Sequence, residues 1–414
     1  MTLCRPVKGF KYSALHAGLK KQNLDLALIV AEKPVPTAAV FTTSQVVAAP
    51  VMVSREHVSD GYAQALIINA GNANACTGKQ GIYDARAMCE AVAREVDCQE
   101  GEVLCASTGV IGVSLPLEKI ENALPELASK LEPSAENLEL VAQAIMTTDT
   151  KMKCYSTTFE NDGITYTMMG IAKGSGMIAP NMATMIGVIL TDAPLTPSAC
   201  DALLRKSVRN TFNAVTVDGD TSTNDTLVLM ASGAAGGVAL ETPMSTGFVQ
   251  AEEACFEVCK HLAEEIASDG EGATKMIDVV VTGAQTSADA KKVARTIAES
   301  PLVKTALFGN DANWGRVAGA AGRSGVAFDQ NRLSVTFAGI LVCKNGCAVC
   351  FDEDVALVAL KQPRVSIHVD LGRTQTPDID FKSAFTAQPH EGSAHIMTCD
   401  LTYDYVRING EYRS

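Results

Sequence analysis

The sequence predicts a globular α/β protein that is soluble in water. Hydrophobic residues make up 47% of the chain and charged residues 20%, a balance typical of a protein that buries an apolar core. Short apolar runs of the kind that form buried strands alternate along the chain with segments whose apolar residues recur at helical spacing. The 414 residues are enough for two or three domains.

These two patterns predict a series of elements in chain order. Strands are expected at residues 24–31, 39–41, 62–69, 103–106, 154–159, 164–172, 185–190, 226–231 and 276–282. Helices are expected at residues 82–96, 117–131, 134–146, 198–208, 248–266 and 287–297. Further on, the pattern indicates a loop at 307–315, a hairpin at 333–350 and a last strand within 394–408.

Local signals mark the ends of some of these elements. Pro34 and Pro36 break the first apolar run into two strands. Ser134 is placed to cap the helix that follows it. The Asn161-Asp162-Gly163 sequence predicts a tight hairpin between its flanking strands.

Charge and composition argue against several classes of partner. The net charge is −13 and no basic cluster stands out, which argues against nucleic acid and against an anionic membrane surface. No apolar run approaches the roughly 18 residues of a membrane span, and the N-terminus lacks the apolar core of a signal peptide. The thirteen cysteines, odd in number and irregular in spacing, are expected to be reduced thiols of a cytoplasmic protein.

The stretch from Lys173 to Ala193, KGSGMIAPNMATMIGVILTDA, is the most informative part of the chain. Its glycines let the backbone pass close to other groups, and a turn at Pro180 leads through Thr184 into an apolar strand. A threonine alcohol is a weak nucleophile that needs a nearby base, yet no histidine occurs close to this stretch. A cut between Ala183 and Thr184 would supply one, because the new α-amino group, with an ordinary pKa of about 7.7–8.0, belongs to the nucleophile itself. The alternative is a glycine-rich turn before a core strand with an incidental threonine.

Other polar motifs also admit more than one interpretation. The STGVIG motif, in which Gly109 and Gly112 permit a tight turn, is either an ordinary turn or aims backbone amides at an oxyanion. The TTDT sequence at 147–150 is by itself typical of a polar helix end. Glu271, between two glycines in a turn after a helix, is by itself typical of an exposed residue without a function. Lys173 is a solvated lysine, a cation that keeps the α-amine neutral, or a ligand for a substrate carboxylate.

Two patterns resemble metal sites, and neither predicts one. The acidic run that contains Asp218, Asp220 and Asp225 lacks the closing glutamate of an EF-hand loop. The cysteine pattern C-x3-C-x2-C at 343–350 lacks the second ligand pair of a structural zinc site. No metal is therefore expected.

The motif KGSGMIAPNMATM at 173–185 resembles the self-cleaving signature of the glutamate N-acetyltransferase family of arginine biosynthesis, also called the ornithine acetyltransferases. The resemblance extends over essentially the whole chain, from GFKYSALHAGLK at 9–20 to YDYVRINGEYRS at 403–414. It implies a layered α/β sandwich of the N-terminal-nucleophile type, with sheets between helices, and a precursor that cuts itself between Ala183 and Thr184. Residues 1–183 would then form an α chain and residues 184–414 a β chain.

The resemblance also implies roles for individual residues. Thr184 would be the nucleophile, and the Thr108 hydroxyl and the Gly109 N–H would form the oxyanion hole. The residues in contact with substrate would be Thr147 or Thr148, Lys173, Thr184, Glu271, Asn409 and the C-terminal Ser414, where the family often has threonine. The family also has a motif near its active site that is matched here, without an assigned role, by Asn310, Asp311 and Asn313.

The function that the resemblance implies is transfer of an acetyl group from N2-acetylornithine to glutamate through an acetyl-threonine, with ping-pong kinetics. Some family members also accept acetyl-CoA as the donor, and no cofactor is expected. The two pieces are expected to stay together, as α2β2 assemblies, with no nucleic acid or membrane partner. Two alternatives stay open: an N-terminal-nucleophile hydrolase of amides or peptides, and a non-enzymatic metal-binding scaffold built on cysteines.

Overall fold

The computed structural model describes residues 4–179, 185–241, 245, 247–373 and 390–411. Within these residues the chain forms two compact units. Unit 1 takes the described residues of 4–174, 185–213 and 221–263, and unit 2 takes those of 175–179, 214–220 and 264–411. This division concerns packing alone, and the two chains expected from a cut after Ala183 stay a prediction.

Unit 1 is built on one eight-stranded mixed sheet. Its strands are β1 (Phe10–Leu15), β2 (Leu26–Phe41), β3 (Tyr62–Asn72), β4 (Val103–Val110), β5 (Lys153–Asn161), β6 (Ile164–Lys173), β7 (Ile186–Thr191) and β8 (Thr226–Ala231). They lie in the order β4-β3-β2-β8-β7-β6-β5, and β1 pairs with β2. The helices are α1 (Ala49–His57), α2 (Gly78–Val96), α3 (Leu117–Ser129), α4 (Ala135–Ala144), α5 (Pro197–Arg209) and the first part of α6 (Phe248–Ser268).

Both faces of this sheet are apolar and covered by helices. Along β2, Ala27 and Ile29 belong to one buried cluster, and Leu26 and Leu28 belong to another, because successive side chains of a strand point to opposite faces. Helix α4 contributes to the first cluster, and α2 and α3 contribute to the second. The sheet of unit 1 therefore lies between helical layers, and the predicted α/β class is confirmed.

Unit 2 is built on a six-stranded sheet. Its strands are β9 (Met276–Thr282), β10 (Ser334–Phe337), β11 (Ile340–Lys344), β12 (Cys347–Ala348), β13 (Arg364–Asp370) and β14 (Ala394–Cys399). They lie in the order β12-β11-β10-β13-β9-β14. Its helices are α7 (Ser287–Ala298), α8 (Pro301–Phe308), α9 (Trp314–Gly322), α10 (Glu353–Leu360) and α11 (Tyr403–Gly410). One buried cluster joins β9, β10 and β13 with α7, α8 and α9. None of the described helices of either unit is both long and apolar enough to cross a membrane.

The prolines of β2 do not end the strand, contrary to the prediction. The strand continues through Pro34 and Pro36, and its ladder with β3 shifts register between Val30 and Val35. Pro34 lies within this irregularity, where no regular ladder hydrogen bond is required of it, and Pro36 pairs with Tyr62 at the end of the ladder. One long strand consequently pairs with β1 and β3 near its start and with β8 near its end.

The remaining local signals are mostly confirmed. The Ser134 hydroxyl accepts a hydrogen bond from the Asn137 N–H at 3.1 Å, and β5 and β6 form the predicted hairpin. The loop expected at 307–315 is shorter, because α8 runs to Phe308 and α9 begins at Trp314. The hairpin expected at 333–350 consists of three strands, with turns after β10 and after β11.

One pair of cysteines departs from the expected reduced state. Cys4 and Cys154 are paired as a disulfide, with their Cα atoms 6.1 Å apart, a separation that a disulfide can span. Both residues contribute to the same buried cluster of unit 1. The expectation of thiols throughout is wrong for this pair, whereas the other eleven cysteines are free.

Candidate active site

Strand β7 follows the predicted nucleophile Thr184 in the sequence. It lies inside the sheet of unit 1, between β8 and β6. All of its residues are buried. Lys173, the last residue of β6, pairs with Ile186, the first residue of β7. Ala183, Thr184 and Ser414 fall outside the described residues, so the candidate site is built from their surroundings.

Met185, which follows Thr184 in the sequence, is held at the start of β8. Its carbonyl accepts a hydrogen bond from the Thr226 N–H at 2.9 Å. Its backbone also lowers the pKa of the Asp225 carboxyl group in part. Asp225 and Thr226 therefore lie at the point from which β7 begins.

Asp225 is a deeply buried acid that the sequence analysis treated only as part of an acidic run. The residue is 1% exposed, and burial raises the pKa of its carboxyl group well above the usual value. The Ser222 hydroxyl, the Lys173 ammonium group and the Thr42 hydroxyl oppose this rise only in part.

The predicted oxyanion motif lies at the end of β4. Thr108 is 8% exposed, and its neighbour Gly109 has a φ of +130°. A Cβ atom on Gly109 would come within 2.3 Å of the Gly71 carbonyl carbon and 2.6 Å of the Asn72 nitrogen. This turn therefore requires glycine, both for its backbone conformation and for its close approach to β3.

Asn224 links this motif to the start of β7. Its side-chain amide donates to the carbonyl oxygens of Ser107, at 2.9 Å, and Ala73, at 2.6 Å. Ser107 is the residue before Thr108, and Asn224 is the residue before Asp225. The only sequence signal for this link is the density of Asp, Asn and Thr in the segment that leads into β8.

The structure brings together Thr147 and Lys173, two of the predicted substrate contacts. The Lys173 ammonium group, in a residue only 9% exposed, donates to the Thr147 hydroxyl at 3.2 Å. Asp149 organises both partners, because its carboxylate accepts from the Thr147 N–H at 3.0 Å and from the Gly174 N–H at 2.7 Å. It is Thr147, rather than Thr148, that makes this contact with Lys173.

Asp149 is itself part of a buried ion pair. Its carboxylate lies 2.6 Å from the Lys153 ammonium group, and both side chains are 0% exposed. Burial would raise the pKa of the Asp149 carboxyl, but the charges of Lys153 and Lys173 and the hydrogen bonds it accepts outweigh burial, and the net pKa is lowered. Asp149 is therefore an anion at neutral pH. Its charge interacts favourably with the ammonium groups of Lys153 and Lys173, and it accepts a hydrogen bond from the predicted ligand Thr147.

A cavity of about 600 Å³ in unit 1 is lined in part by Thr147 and Asp149, and its size is within the range of small-molecule sites. Lys20 also lines it, and its ammonium group donates to the carbonyl oxygens of Leu24, at 2.8 Å, and Met146, at 2.7 Å. Burial lowers the pKa of Lys20. The predicted contact residue Thr147 thus borders a space that can hold a small polar molecule.

Unit 2 brings together two other predicted ligands, Glu271 and Asn409. Glu271 is 6% exposed, and its carboxylate accepts a hydrogen bond from the Asn409 side-chain amide at 2.7 Å. Its N–H donates to the Ser175 carbonyl at 3.0 Å. A Cβ atom on Gly176 would come within 2.4 Å of the Glu271 carboxylate, so the glycine lets this carboxylate lie against the backbone.

Asn310 and Asn313, to which the sequence assigned no role, have internal partners. The buried Lys275 ammonium group donates to the Asn310 side-chain oxygen at 2.6 Å, and also to the carbonyls of Leu307 and Leu360. The Asn313 side chain accepts from the N–H of Arg316 at 3.2 Å and so caps α9. These contacts stabilise unit 2.

Nothing in the described part of the chain assembles a metal centre. No group of three or more His, Cys, Asp or Glu side chains there is placed to hold a metal ion. Within the cysteine pattern at 343–350, Cys343 is buried, whereas Cys347 and Cys350 are exposed.

Comparison with known proteins identifies the family. The profile of the ArgJ family matches residues 11–414. The arginine biosynthesis bifunctional protein ArgJ of Geobacter sulfurreducens is 43% identical over 412 residues, which are 99% of this chain and 100% of the relative. The protein of the same name from Caldanaerobacter subterraneus is 44% identical and covers 98% of this chain and 97% of its own length. A crystal structure of the Bacillus halodurans protein, with 40% identity and a TM-score of 0.48, covers 53% of this chain and 96% of that one. The full-length match and the level of identity show that this chain belongs to the ArgJ family.

Proposed function

We propose that this protein transfers the acetyl group of N2-acetylornithine to glutamate through an acetyl ester on Thr184. Membership of the ArgJ family assigns the chain to acetyl transfer in arginine biosynthesis. The substrates and the residues that act on them are inferred from the motifs and from the site geometry. Acetyl-CoA is proposed as a further donor, in keeping with the word bifunctional in the names of the relatives.

The reaction begins with the chain cutting itself. The Thr184 hydroxyl attacks the carbonyl carbon of Ala183, and hydrolysis of the resulting ester leaves pieces of 183 and 231 residues. Thr184 then carries a free α-amine, which accepts the proton of its own hydroxyl. The hydroxyl attacks the acetyl carbonyl of N2-acetylornithine, ornithine leaves, and glutamate takes the acetyl group in a second half-reaction.

The oxyanion that forms in each half-reaction is stabilised by the Thr108 hydroxyl and the Gly109 N–H. The loss of one such donor typically lowers kcat by about 10²–10³-fold. Lys173 keeps the Thr184 amine neutral through its charge or binds the substrate α-carboxylate, with Thr147 beside it. The buried position of Lys173 supports either role, because a desolvated charge acts more strongly on its neighbours than a solvated one.

Glu271 and Asn409 are proposed to bind the substrate amine, together with Ser414. A carboxylate suits an ammonium ligand, because a charge-assisted hydrogen bond is roughly twice as strong as a neutral one. No cofactor takes part in this scheme. The two pieces are proposed to remain associated as an α2β2 assembly.

The observation that best supports the proposal is the contact of buried Lys173 with Thr147 at the end of β6, beside β7. A denaturing gel of the purified protein tests the cleavage: two bands are expected for the wild type and one full-length band for Thr184→Ala. Incubation with N2-acetylornithine tests the transfer, and ornithine release is expected to depend on glutamate beyond one turnover. Continuous release without glutamate would instead identify a hydrolase.

A further inference from the structure

Lys20 is a half-buried lysine of unit 1 that has no part in the proposed reaction. Its ammonium group donates hydrogen bonds to the carbonyl oxygens of Leu24 at 2.8 Å, Ala144 at 3.1 Å and Met146 at 2.7 Å. An ammonium group has three N–H donors, so these three bonds use all of them. Lys20 therefore holds the protein backbone and has no donor left with which to bind a substrate directly.

The peptide group between Met146 and Thr147 is held from both sides. Lys20 donates to its carbonyl oxygen at 2.7 Å, and the Asp149 carboxylate accepts from its N–H, which belongs to Thr147, at 3.0 Å. Because a peptide group is planar, contacts at these two atoms fix the orientation of the whole plane. Hydrogen bonds to ionised groups are roughly twice as strong as neutral ones. The backbone of the predicted substrate contact Thr147 is therefore fixed by a cation and an anion together.

The backbone of Lys20 is itself firmly anchored. The buried Asp25 carboxylate accepts from the N–H groups of Leu19, at 2.7 Å, and Lys20, at 2.9 Å. A Cβ atom on Gly71 of β3 would lie 2.8 Å from the Leu19 carbonyl oxygen and 3.2 Å from the Lys20 Cγ atom. The loop that carries Lys20 consequently packs closely against the sheet, and the ammonium group extends from a fixed base to the end of α4.

The peptide that Lys20 holds lies beside the predicted substrate contacts. The Thr147 hydroxyl accepts from the Lys173 ammonium group at 3.2 Å, and Lys20 and Thr147 both line the cavity of about 600 Å³. Burial lowers the pKa of the Lys20 ammonium group, on which Lys173 and Asp149 also act through their charges. A displacement of the peptide would therefore move the Thr147 hydroxyl relative to both Lys173 and the cavity.

We propose that Lys20 is a positioning residue for substrate binding, which fixes the peptide between Met146 and Thr147 and through it the Thr147 hydroxyl. This inference rests on the proposed function, in which Thr147 contacts the amino-acid substrates. Because Lys20 acts through Thr147 and not on the reacting atoms, its loss weakens substrate binding and leaves the chemical step intact. Lys20 also caps α4 through the Ala144 carbonyl, but a cap alone changes the stability of a helix and not the affinity for a substrate.

The test compares Lys20→Met with the wild type and with Lys119→Met. Methionine keeps an unbranched apolar stem beside Gly71 but has no N–H donor. Lys119 is an exposed lysine whose ammonium group donates to one carbonyl of the same loop, that of Gly18, at 2.7 Å. Steady-state kinetics measure kcat and KM for N2-acetylornithine and for glutamate, and differential scanning calorimetry measures the Tm of each protein.

Lys20→Met is expected to raise KM for both substrates, since both carry an α-carboxylate and are proposed to enter the same site. A misplacement of 1 Å can cost about 10²-fold, so we expect KM to rise by about 10–100-fold. The value of kcat should stay close to that of the wild type, because a change in KM alone marks the loss of a binding interaction. Lys119→Met is expected to have the kinetics of the wild type.

Lys20→Arg provides a second variant that keeps the positive charge. Its donors lie in a planar fork that does not match the geometry of an ammonium group, so a smaller rise in KM, again without a fall in kcat, is expected. Wild-type KM values for Lys20→Met, or for Lys20→Arg should Lys20→Met not fold, would overturn the inference, as would a loss confined to kcat. If the wild type itself transfers no acetyl group, the proposed function fails, so the two failures are distinguishable.

Discussion

Replacement of Asp149 by asparagine should strongly destabilise unit 1, because it removes the carboxylate that pairs with the buried Lys153 ammonium group. The two groups lie 2.6 Å apart and both side chains are 0% exposed. At an effective dielectric constant of about 20, their Coulomb attraction is about 6 kcal/mol, part of which offsets the loss of hydration. Removal of one partner of a buried pair typically costs about 3–5 kcal/mol.

The chain offers a matched control in Asp201 and Arg205, which are also four residues apart on the chain. Their charged atoms lie 2.8 Å apart, but the side chains are 48% and 54% exposed. An exposed pair of this spacing contributes about 0.3–0.5 kcal/mol. For domains of this size 1 kcal/mol corresponds to about 2–4 °C in Tm. Asp149→Asn should therefore lower Tm by about 6–20 °C, and Asp201→Asn by no more than about 2 °C.

The double variant Asp149→Asn/Lys153→Met separates charge burial from the loss of hydrogen bonds. If the loss of the charge on Asp149 beside the Lys153 ammonium group lowers the Tm, the double variant should recover most of it, because a buried ion pair can be replaced by apolar groups at little cost. Differential scanning calorimetry of the purified variants measures all three shifts. Equal shifts for Asp149→Asn and Asp201→Asn would refute the reasoning, as would a double variant less stable than Asp149→Asn.

Three further predictions concern the candidate site and unit 2. Gly109→Ala should lower kcat by about 10²-fold or more, because its Cβ atom would meet the Gly71 backbone at 2.3 Å and displace a proposed oxyanion donor. Steady-state kinetics of transfer would measure this, and an unchanged kcat would contradict the proposed role of Gly109. Glu271→Gln should lower kcat/KM for N2-acetylornithine by about 10–100-fold, the equivalent of one charged hydrogen bond of about 1.5–3 kcal/mol, with thermal melts as a check on folding. For Asp278, burial alone would raise the pKa of the carboxyl group, but hydrogen bonds from His395 and Arg364 lower it from 3.8 to about 2. The stabilisation of the folded protein by this ionised carboxylate is therefore complete above pH 3.8 and is lost as pH falls toward 2. Asp278→Asn should accordingly flatten the acid limb of a plot of the free energy of unfolding against pH.

Sequence patterns predicted those elements whose signals are local. Strands β8 and β9 have the predicted ends, because each is an apolar run bounded by polar turn residues. Strand β1 was not predicted, since FKYSAL alternates poorly and becomes buried through pairing with β2 and packing against α4. The two prolines of β2 misled the prediction because their places in the ladder, Pro34 in a register shift and Pro36 at its end, depend on β3, which no local signal encodes.

The same distinction holds within the candidate site. Thr147, Lys173 and Glu271 could be singled out because they stand in recognisable motifs. Asp149 and Asp225 could not, because their importance comes from partners that lie far away in sequence. Asp149 accepts from Gly174, and the Lys173 charge lowers the pKa of Asp225 in part. Each of these interactions exists only after strands from different parts of the chain have assembled.

The short segment before β8 shows how the order of strands determines the geometry of the site. Because β8 lies between β2 and β7, the residues that lead into it can reach groups on both sides. Asn224 donates to the Ser107 carbonyl, next to the predicted oxyanion motif, whereas Thr226 donates to the Met185 carbonyl. Residues 224 to 226 thus contact both the predicted oxyanion motif and the start of the strand that follows the predicted nucleophile. An acidic, amide-rich sequence that resembles a poor cation site is better explained as the support that aligns these two parts.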